Sequence, residues 1–543
     1  MITILLILWA IREVKSILFW VYLWQLKEYH RKRFIDHFRT AKGRSIFLNW
    51  LMGVKVIFLC LLFFVKSVPL IYIIALLYLL ESLKFFVNLY KKRLKKPVFT
   101  FKAIVICGGC FILFALIVSA LFVFDIDIIQ FVQCLLAIDI LTFLFVSAFV
   151  FLLHPLTLFF QYRLLQKAKK KREKFRDLIV IGITGSYGKT TTKEITSFIL
   201  AHKFKVLKTE KHINAEVGIA KTILEKLNDQ EIFVVEMGAY ERGKIRQVCK
   251  MVKPKIGVLT GINQQHMATF GSQEKIIEGK FELIEALPED GIAVLNWDNQ
   301  FINSKLKSQK SKPQLKSQKL KNIKIIKYAI KNKNEADVWA EGVKVQKEKL
   351  SFWISTKEGK KEFCEVNLIG GHNVYAILAA CAVARELGMS LTEITQILKE
   401  IKPDFGAMKL KKGVGGINII DASYSANPDG VISALDYLKV WENKKVIVMP
   451  CLIELGRSSK KVHRKIGEKI AEVCDLAIIT TKDRFKDIKQ GAISKGMKEE
   501  NVLFIENSEK IFKKIKKFCG TEDVVLLEGR VPERLKRLIL KEK

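Results

Sequence analysis

The chain has 543 residues, half of them hydrophobic, with 91 lysines and arginines against 54 acidic residues and a net charge of +37. That length suits roughly three or four domains, each able to bury its own core. The charge calls for an anionic neighbour, and because the densest basic runs flank apolar segments instead of alternating with aromatics, that neighbour is a membrane surface and not nucleic acid. Ten cysteines scattered singly do not resemble a secreted disulfide framework and suit a reducing cytoplasm.

Apolar runs near 46–65, 68–88, 103–124 and 131–153 are each long enough to cross roughly 30 Å of hydrocarbon, which takes about 20 helical residues. The first 26 residues are also apolar, but Arg12, Glu13 and Lys15 interrupt them, so this piece reads as a fifth span or an interfacial helix. It lacks the basic start and small-residue cleavage site of a signal peptide. Arg31, Lys32, Arg33, Arg39 and Lys42 crowd one connection, Arg93, Lys95 and Lys96 another, and 163–176 is basic again, whereas "DIDIIQ" at 125–130 carries no positive charge. Basic loops stay inside. The expectation is a multi-pass protein of the cytoplasmic membrane with everything after residue 155 in the cytoplasm. Asp139 falls within the last span, where an ionisable group is a functional candidate by default. A bond to a neighbouring helix suits it at least as well, and the intramembrane charges are too few to trace a transport path. Cys107-Gly-Gly-Cys110 lies in an apolar run without a second ligand pair, so it reads as small residues packing between helices.

From Asp177 short β-rich runs alternate with helical periodicity, which predicts parallel α/β construction. Strands are expected at 178–183, 232–237, 255–260 and 291–296. A lysine-rich patch at 305–322, in which LKSQK occurs twice, reads as a solvated surface insertion. A helix over 372–387 closes this region, Pro403 breaks the chain near 402–406, and further strands at 417–424, 444–449, 476–481 and 523–529 predict a second, smaller Rossmann-like unit. The expected organisation is a transmembrane helical bundle over 1–160, a P-loop domain with a parallel sheet over 176–403, and the Rossmann-like unit over 404–543.

The chemistry gathers at strand ends. In "GITGSYGKTTT" a strand ends at Ile183, a glycine-bearing turn follows, and a helix begins near Lys189, so backbone N–H groups and a helix N-terminus converge on an anion. Lys189 would reach the β/γ-phosphates and the Thr190 hydroxyl would hold Mg2+. The strict phosphate-loop spacing fails by one place, with Ile at 183 and Gly182, Gly185 and Gly188 supplying the turn. Glu236 ends the run "IFVVEM", at the edge of a parallel sheet where a carboxylate is placed to hold that Mg2+. His266 follows another strand, and Lys280 lies fourteen residues later on a helix.

"TGSYGKTTTKE", "VVEMGA", His266 with "FGS" and Lys280, "GGHNVYAILAA", "DASYSANPDG" and "IELGRSSKKVH" together resemble the Mur ligase family, in order, from residue 178 to about 530. The nearest branch adds D-alanyl-D-alanine to a muropeptide. The resemblance implies that Gly185, Ser186, Tyr187, Gly188, Lys189, Thr190 and Thr191 bind ATP, with Thr190 and Glu236 on one Mg2+ and His266 on a second. Lys280 would match a carbamylated lysine that joins the metal ligands, and Lys189, His266 and Lys280 would be the catalytic set. His372 and Asn373 would lie by the adenine, Asp421 and Asn427 would approach the nucleotide from the C-terminal unit, and Glu454 and His463 would lie near the amine substrate. The activity implied is an ATP-dependent ligase of peptidoglycan precursor synthesis that makes an amide through an acyl phosphate, with D-alanyl-D-alanine or a similar amine.

The chain departs from that pattern at Gly406-Ala407, at Ser425-Ala426-Asn427-Pro428 and in "LLEGRVPERL". Its front differs most, since that branch begins with a soluble domain gripping the UDP end of the substrate. A lipid-linked acceptor, or a soluble one held by the remaining domains, would fit. Poly-γ-glutamate-type polymerisation, a transport ATPase and a binding module without turnover are the competing readings.

Overall fold

A computed structural model describes residues 2–65, 67–311, 322–403, 405–406, 408–423 and 426–541. Residues 312–321 of the lysine-rich patch, Ala407 and Ser425 lie outside the described residues. The chain divides into two compact units, Met1–Gln161 and Tyr162–Lys543.

The first unit is all helix: α1 (Ile2–Leu26), α2 (Arg31–His37), α3 (Ala41–Phe47), α4 (Trp50–Val65), α5 (Val68–Tyr90), α6 (Phe101–Val123), α7 (Ile128–Leu152) and the start of α8 (His154–Glu173). Four helical stretches, 41–65, 68–90, 101–123 and 128–173, are long and apolar enough to cross a membrane. Between the two readings of the first 26 residues, the packing favours a helix of the bundle: α1 lies against α5, α6 and α7, with Leu5, Ile17 and Trp24 buried.

Two of the three charges that interrupt α1, Arg12 and Glu13, have partners inside the bundle. Arg12 Nε lies 2.9 Å from Glu81 and Arg12 Nη2 lies 3.3 Å from Asp139. Lys55 Nζ sits 2.5 Å from both of those carboxylates, Tyr78 donates to Asp139, and the Thr142 hydroxyl donates to Glu13 at 2.7 Å. Asp139 therefore belongs to a buried network of ionisable residues and is bonded to neighbouring helices, the second of the two readings given to it. Unpaired, each would be costly in an apolar interior, and pairing offsets that cost. Cys107 and Cys110 are buried and unbridged, and a Cβ on Gly109 would meet the Phe149 ring of α7 at 2.6 Å, so this motif does pack helix on helix.

The second unit contains two sheets. The larger is built from β1 (Ile179–Thr184), β2 (Val206–Lys208), β3 (Ile232–Glu236), β4 (Ile256–Leu259), β5 (Ile292–Asn296), β6 (Lys324–Ala329), β7 (Val338–Val345), β8 (Leu350–Thr356) and β9 (Lys361–Val366). Their order is β2-β3-β1-β4-β5-β6-β7-β8-β9, parallel from β2 to β7 and antiparallel at β7-β8-β9. Burial on both faces explains why the central strands read as unbroken apolar runs. One face is covered by α9 (Lys189–Leu200) and the helix Asn373–Glu386, the other by helices over 216–226, 244–252 and 273–285. The antiparallel extension was not expected, because apolar residues on its exposed face, Trp353 and Phe363 among them, blur the alternation over 338–366. The first part of the supposed insertion is also structured: Gln300–Ser311 is helix, with Ile302 and Leu306 buried.

The smaller sheet holds β10 (Lys409–Lys412), β11 (Asn418–Ala422), β12 (Lys445–Met449), β13 (Leu476–Ile479), β14 (Val502–Phe504) and β15 (Val524–Glu528) in the order β10-β11-β15-β12-β13-β14. All neighbours are parallel except β10 with β11. Five of these six strands run the same way with helices on both faces.

Candidate functional site

In the larger sheet β1 lies between β3 and β4, so the chain leaves its carboxyl end in opposite directions. A crevice opens at such a reversal, outside the carboxyl ends of the strands. Three sequence-distant segments meet there: the loop 185–188 after β1, Glu236 at the end of β3, opposite Ile183, and the connection after β4.

The loop has little freedom. Gly185 has φ +155°, and a Cβ there would fall 2.1 Å from Thr260 Oγ1 and 3.0 Å from the Gly261 carbonyl, so no larger residue fits. Gly188 takes a left-handed conformation (φ 75°) just before α9, turning the chain into the helix. The β4 connection holds the loop through the Ser186 N–H donating to the Gly261 carbonyl at 2.7 Å, the Thr260 hydroxyl donating to the Tyr187 carbonyl, and the Asn263 N–H donating to Ser186 Oγ.

Lys189 curls over this loop, its Nζ donating to the Gly185 carbonyl at 2.9 Å, and burial lowers its pKa. The Thr190 hydroxyl donates to Glu236 Oε2 at 2.9 Å, while Asn214 donates to Glu236 Oε1 at 3.1 Å. Lys193, fully buried behind them, donates to the Thr209 carbonyl at 2.7 Å and lies 3.9 Å from Glu236. Lys280, 1% exposed on the helix Gln273–Glu285, has its amine pushed well below the ordinary lysine value. Burial is the main cause and the charge of Lys189 adds to it, against the pull of Glu282 and Glu236. No carboxylate pairs with it among the described residues. His266, in a left-handed conformation (φ 66°), accepts edge contact from the Tyr240 ring and shares a 2.7 Å hydrogen bond with Glu454 through Nδ1. Burial lowers its pKa, Glu454 opposes that, and the charges of Lys280 and Lys189 reinforce it. Lys189, Glu236, His266 and Lys280 thus share one electrostatic neighbourhood.

The remaining expected residues are placed unevenly. Thr191 lies in the first turn of α9. His372 and Asn373 begin the helix Asn373–Glu386; Asn373 donates to the Ile369 carbonyl, whereas His372 Nδ1 and Asn373 Oδ1 are buried without a hydrogen-bond partner. Burial pulls the His372 imidazole down to about 4, so it is neutral near pH 7. Asn427 caps the helix Pro428–Leu438 and accepts from the Asn263 amide at 3.2 Å, which joins the smaller sheet's region to the crevice. Asp421 does not reach the loop: its contacts are Ser423, Lys411 and Lys536, all on its own side. His463 is tied into its own segment. It is fully buried, accepts from the Leu452 N–H at 2.9 Å and lies 2.6 Å from the Ser459 carbonyl, so both ring nitrogens are used within its own segment. Among the described residues no cluster of three His, Cys, Asp or Glu side chains is gathered to hold a metal.

Several residues at the crevice went unremarked in the sequence. Asn263 bridges to Asn427 and, at 2.6 Å, to Asp429. Asn299 donates to the Tyr187 hydroxyl, and Asp298 accepts from the Tyr375 hydroxyl at 2.9 Å. Their signal was available: "GIN" and "NWDN" directly follow β4 and β5, where polar side chains at a carboxyl edge face the ligand side.

Parallel sheets, a glycine loop entering a helix, and a buried lysine and carboxylate at their edge define an α/β architecture of the nucleotide-binding type. Residues 183–384 match the Mur ligase middle domain, and residues 408–531 match the Mur ligase glutamate ligase domain. The UDP-N-acetylmuramoyl-tripeptide--D-alanyl-D-alanine ligase of Bacillus subtilis is 26% identical over 362 residues, covering 66% of this chain and 75% of that protein. The Haemophilus influenzae enzyme of the same name is 28% identical over 56% of this chain, and the match spans 63% of its length, just under two thirds. The solved MurF ligase of Thermotoga maritima in complex with ADP aligns over 70% of this chain and 83% of its own, with TM-score 0.59 and 27% identity. The chain belongs to the Mur ligase family of ATP-dependent ligases. Residues before 183 lie outside both matched domains.

Proposed function

We propose that this chain is a membrane-anchored ligase of peptidoglycan precursor synthesis that joins D-alanyl-D-alanine, or a similar amine, to a muropeptide carboxylate at the expense of ATP. The observation that carries this reading is the meeting of the Lys189 loop, the Thr190–Glu236 pair, His266 and the buried Lys280 at one sheet edge. The organisation proposed with it is a transmembrane bundle over 1–160, a P-loop domain over 176–403 and a Rossmann-like domain over 404–543, with the last two in the cytoplasm.

The residues present fit ATP and Mg2+. The loop's N–H groups and the start of α9 suit phosphate oxygens. Thr190 and Glu236 present a hydroxyl and a carboxylate within 2.9 Å of each other, an oxygen set that suits a hard divalent cation. With Nδ1 donating to Glu454, His266 keeps the Nε2 lone pair for a second ion. Mg2+ held there would supply positive charge against the phosphate oxygens. His372 Nδ1 and Asn373 Oδ1, buried without partners, offer hydrogen bonds to an adenine edge. Asn427 stands by the crevice, whereas Asp421 would need the C-terminal domain to move.

Lys280 fits carbamylation for the same kind of reason. A buried ammonium beside Lys189 is unfavourable, which favours the uncharged, nucleophilic amine. Attack on CO2 forms an N–C bond, releases a proton and leaves a carboxylate-like group that Lys189 stabilises.

Lys189 would lower the repulsion between the acceptor carboxylate and the triphosphate. A carboxylate oxygen takes the γ-phosphoryl group and ADP leaves. The amine nitrogen then attacks the acyl carbon, phosphate departs, and a proton is lost as the amide forms. The test is ADP release by the purified full chain with a UDP-linked or lipid-linked muropeptide and D-alanyl-D-alanine. Release that needs the amine, yields a new amide and disappears in Lys280→Ala supports the ligase. Turnover indifferent to any amine overturns it.

A further inference from the structure

The helical unit contains a cavity of about 380 Å³ where α4 begins and α5 ends. That end carries the basic connections over 27–44 and 91–102. Arg12, Lys55 and Asp139 form part of its lining, and there two cations are matched by the two carboxylates of Glu81 and Asp139. Lys15, Arg93 and Lys95 also line it, and among the described residues none of these three is paired with a carboxylate. Lys95 lies over the Phe19 ring, and Phe19, Trp20, Leu51 and Met52 supply apolar wall.

Lys15 is half-buried while Arg93 and Lys95 are exposed, and three uncompensated cations gathered beside apolar walls repel one another. An anion entering the cavity removes that cost. A carboxylate would bring one charge, whereas a phosphate monoester or diphosphate brings two or more and matches the planar fork of Arg93. The apolar wall has no use for a free phosphate but suits the first methylenes of a chain. We propose that this cavity binds the headgroup of a lipid ending in a phosphate monoester or diphosphate. The proposal rests on the bilayer reading of the spans and not on the ligase reading.

The test uses the full chain in phosphatidylcholine nanodiscs, titrated with dioleoyl phosphatidic acid and followed by native mass spectrometry. Wild type retains phosphatidic acid in preference to phosphatidylcholine. The combined Lys15→Gln, Arg93→Gln and Lys95→Gln variant binds it roughly tenfold or more weakly, as the loss of three basic contacts requires. Lys91→Gln with Lys92→Gln, exposed on the same connection and outside the lining, leaves affinity unchanged. Equal retention of both lipids, an unaffected triple variant, or an equal loss in the Lys91/Lys92 variant overturns the site. Inorganic phosphate binding as tightly as phosphatidic acid reassigns it to a soluble anion and overturns the lipid. A chain that inserts but ignores phosphatidic acid sinks this proposal alone, whereas one that fails to insert sinks the bilayer reading with it.

Discussion

His266 and Glu454 are 188 residues apart, yet Nδ1 of the one and a carboxylate oxygen of the other lie 2.7 Å apart. The Glu454 carbonyl also accepts from the Ala268 N–H at 3.1 Å, so side chain and backbone together fasten the segment after β12 to the one after β4. A carboxylate in that position fixes the imidazole tautomer and leaves Nε2 open. If His266 holds Mg2+ as proposed, Glu454→Ala should lower ligase turnover and raise the Mg2+ requirement by about 10–100-fold, the usual effect of losing a partner behind a metal ligand. Binding of a fluorescent ATP analogue should change little, and steady-state kinetics over a Mg2+ series reads the difference.

Gly185→Ala places a methyl group against Thr260 Oγ1 and the Gly261 carbonyl. The loop must shift off its hydrogen bonds to the β4 connection, at a cost of about 1–3 kcal/mol. The expected result is a folded protein with a lower melting temperature that no longer binds ATP in isothermal titration. Retention of wild-type ATP affinity would show that the loop tolerates what its geometry forbids.

Glu528 ends β15, 2% exposed, and burial pushes its pKa up to about 8. Because the folded value lies above the unfolded one of 4.5, the contribution to stability is full below pH 4.5 and is lost as pH rises towards 8. Glu528→Gln removes that dependence. Chemical denaturation should find the variant more stable than wild type by roughly 3 kcal/mol at pH 7, with the gap closing towards pH 4.5.

Lys55 neutralises Glu81 and Asp139 together. Lys55→Met leaves buried negative charge uncompensated and should destabilise the helical unit by about 3–5 kcal/mol. Adding Asp139→Asn to Lys55→Met should recover most of that loss, because Arg12 and Glu81 then remain as a matched pair. Thermal unfolding in detergent distinguishes the two, and equal stability of the single and double variants would contradict the charge argument.

Much of the soluble fold is legible from period and composition. The runs at 178–183, 232–237, 255–260 and 291–296 correspond to β1, β3, β4 and β5, shifted by a residue at most ends, since central parallel strands buried on both faces are continuously apolar. Short edge strands such as β2 and β14 carry too few residues to show a pattern, and β8 and β9 blur theirs with the exposed apolar side chains of Trp353 and Phe363. The buried charges of the bundle are equally opaque in one dimension. Arg12, Lys55, Glu81 and Asp139 lie on four different helices, and each alone looks like an interruption.

The amino-acid order by itself determined which local segments form and where reactive groups can stand, because apolar period, glycine turns and strand ends are properties of a few consecutive residues. Pairing those groups was decided only in three dimensions. Placing β1 between β3 and β4 brings Glu236 to Thr190, and the approach of the C-terminal segment gives Glu454 to His266 while leaving Asp421 and His463 to their own neighbours. Hydrogen bonds and ion pairs of a few ångströms depend on strand order and helix packing, which no single stretch of chain encodes.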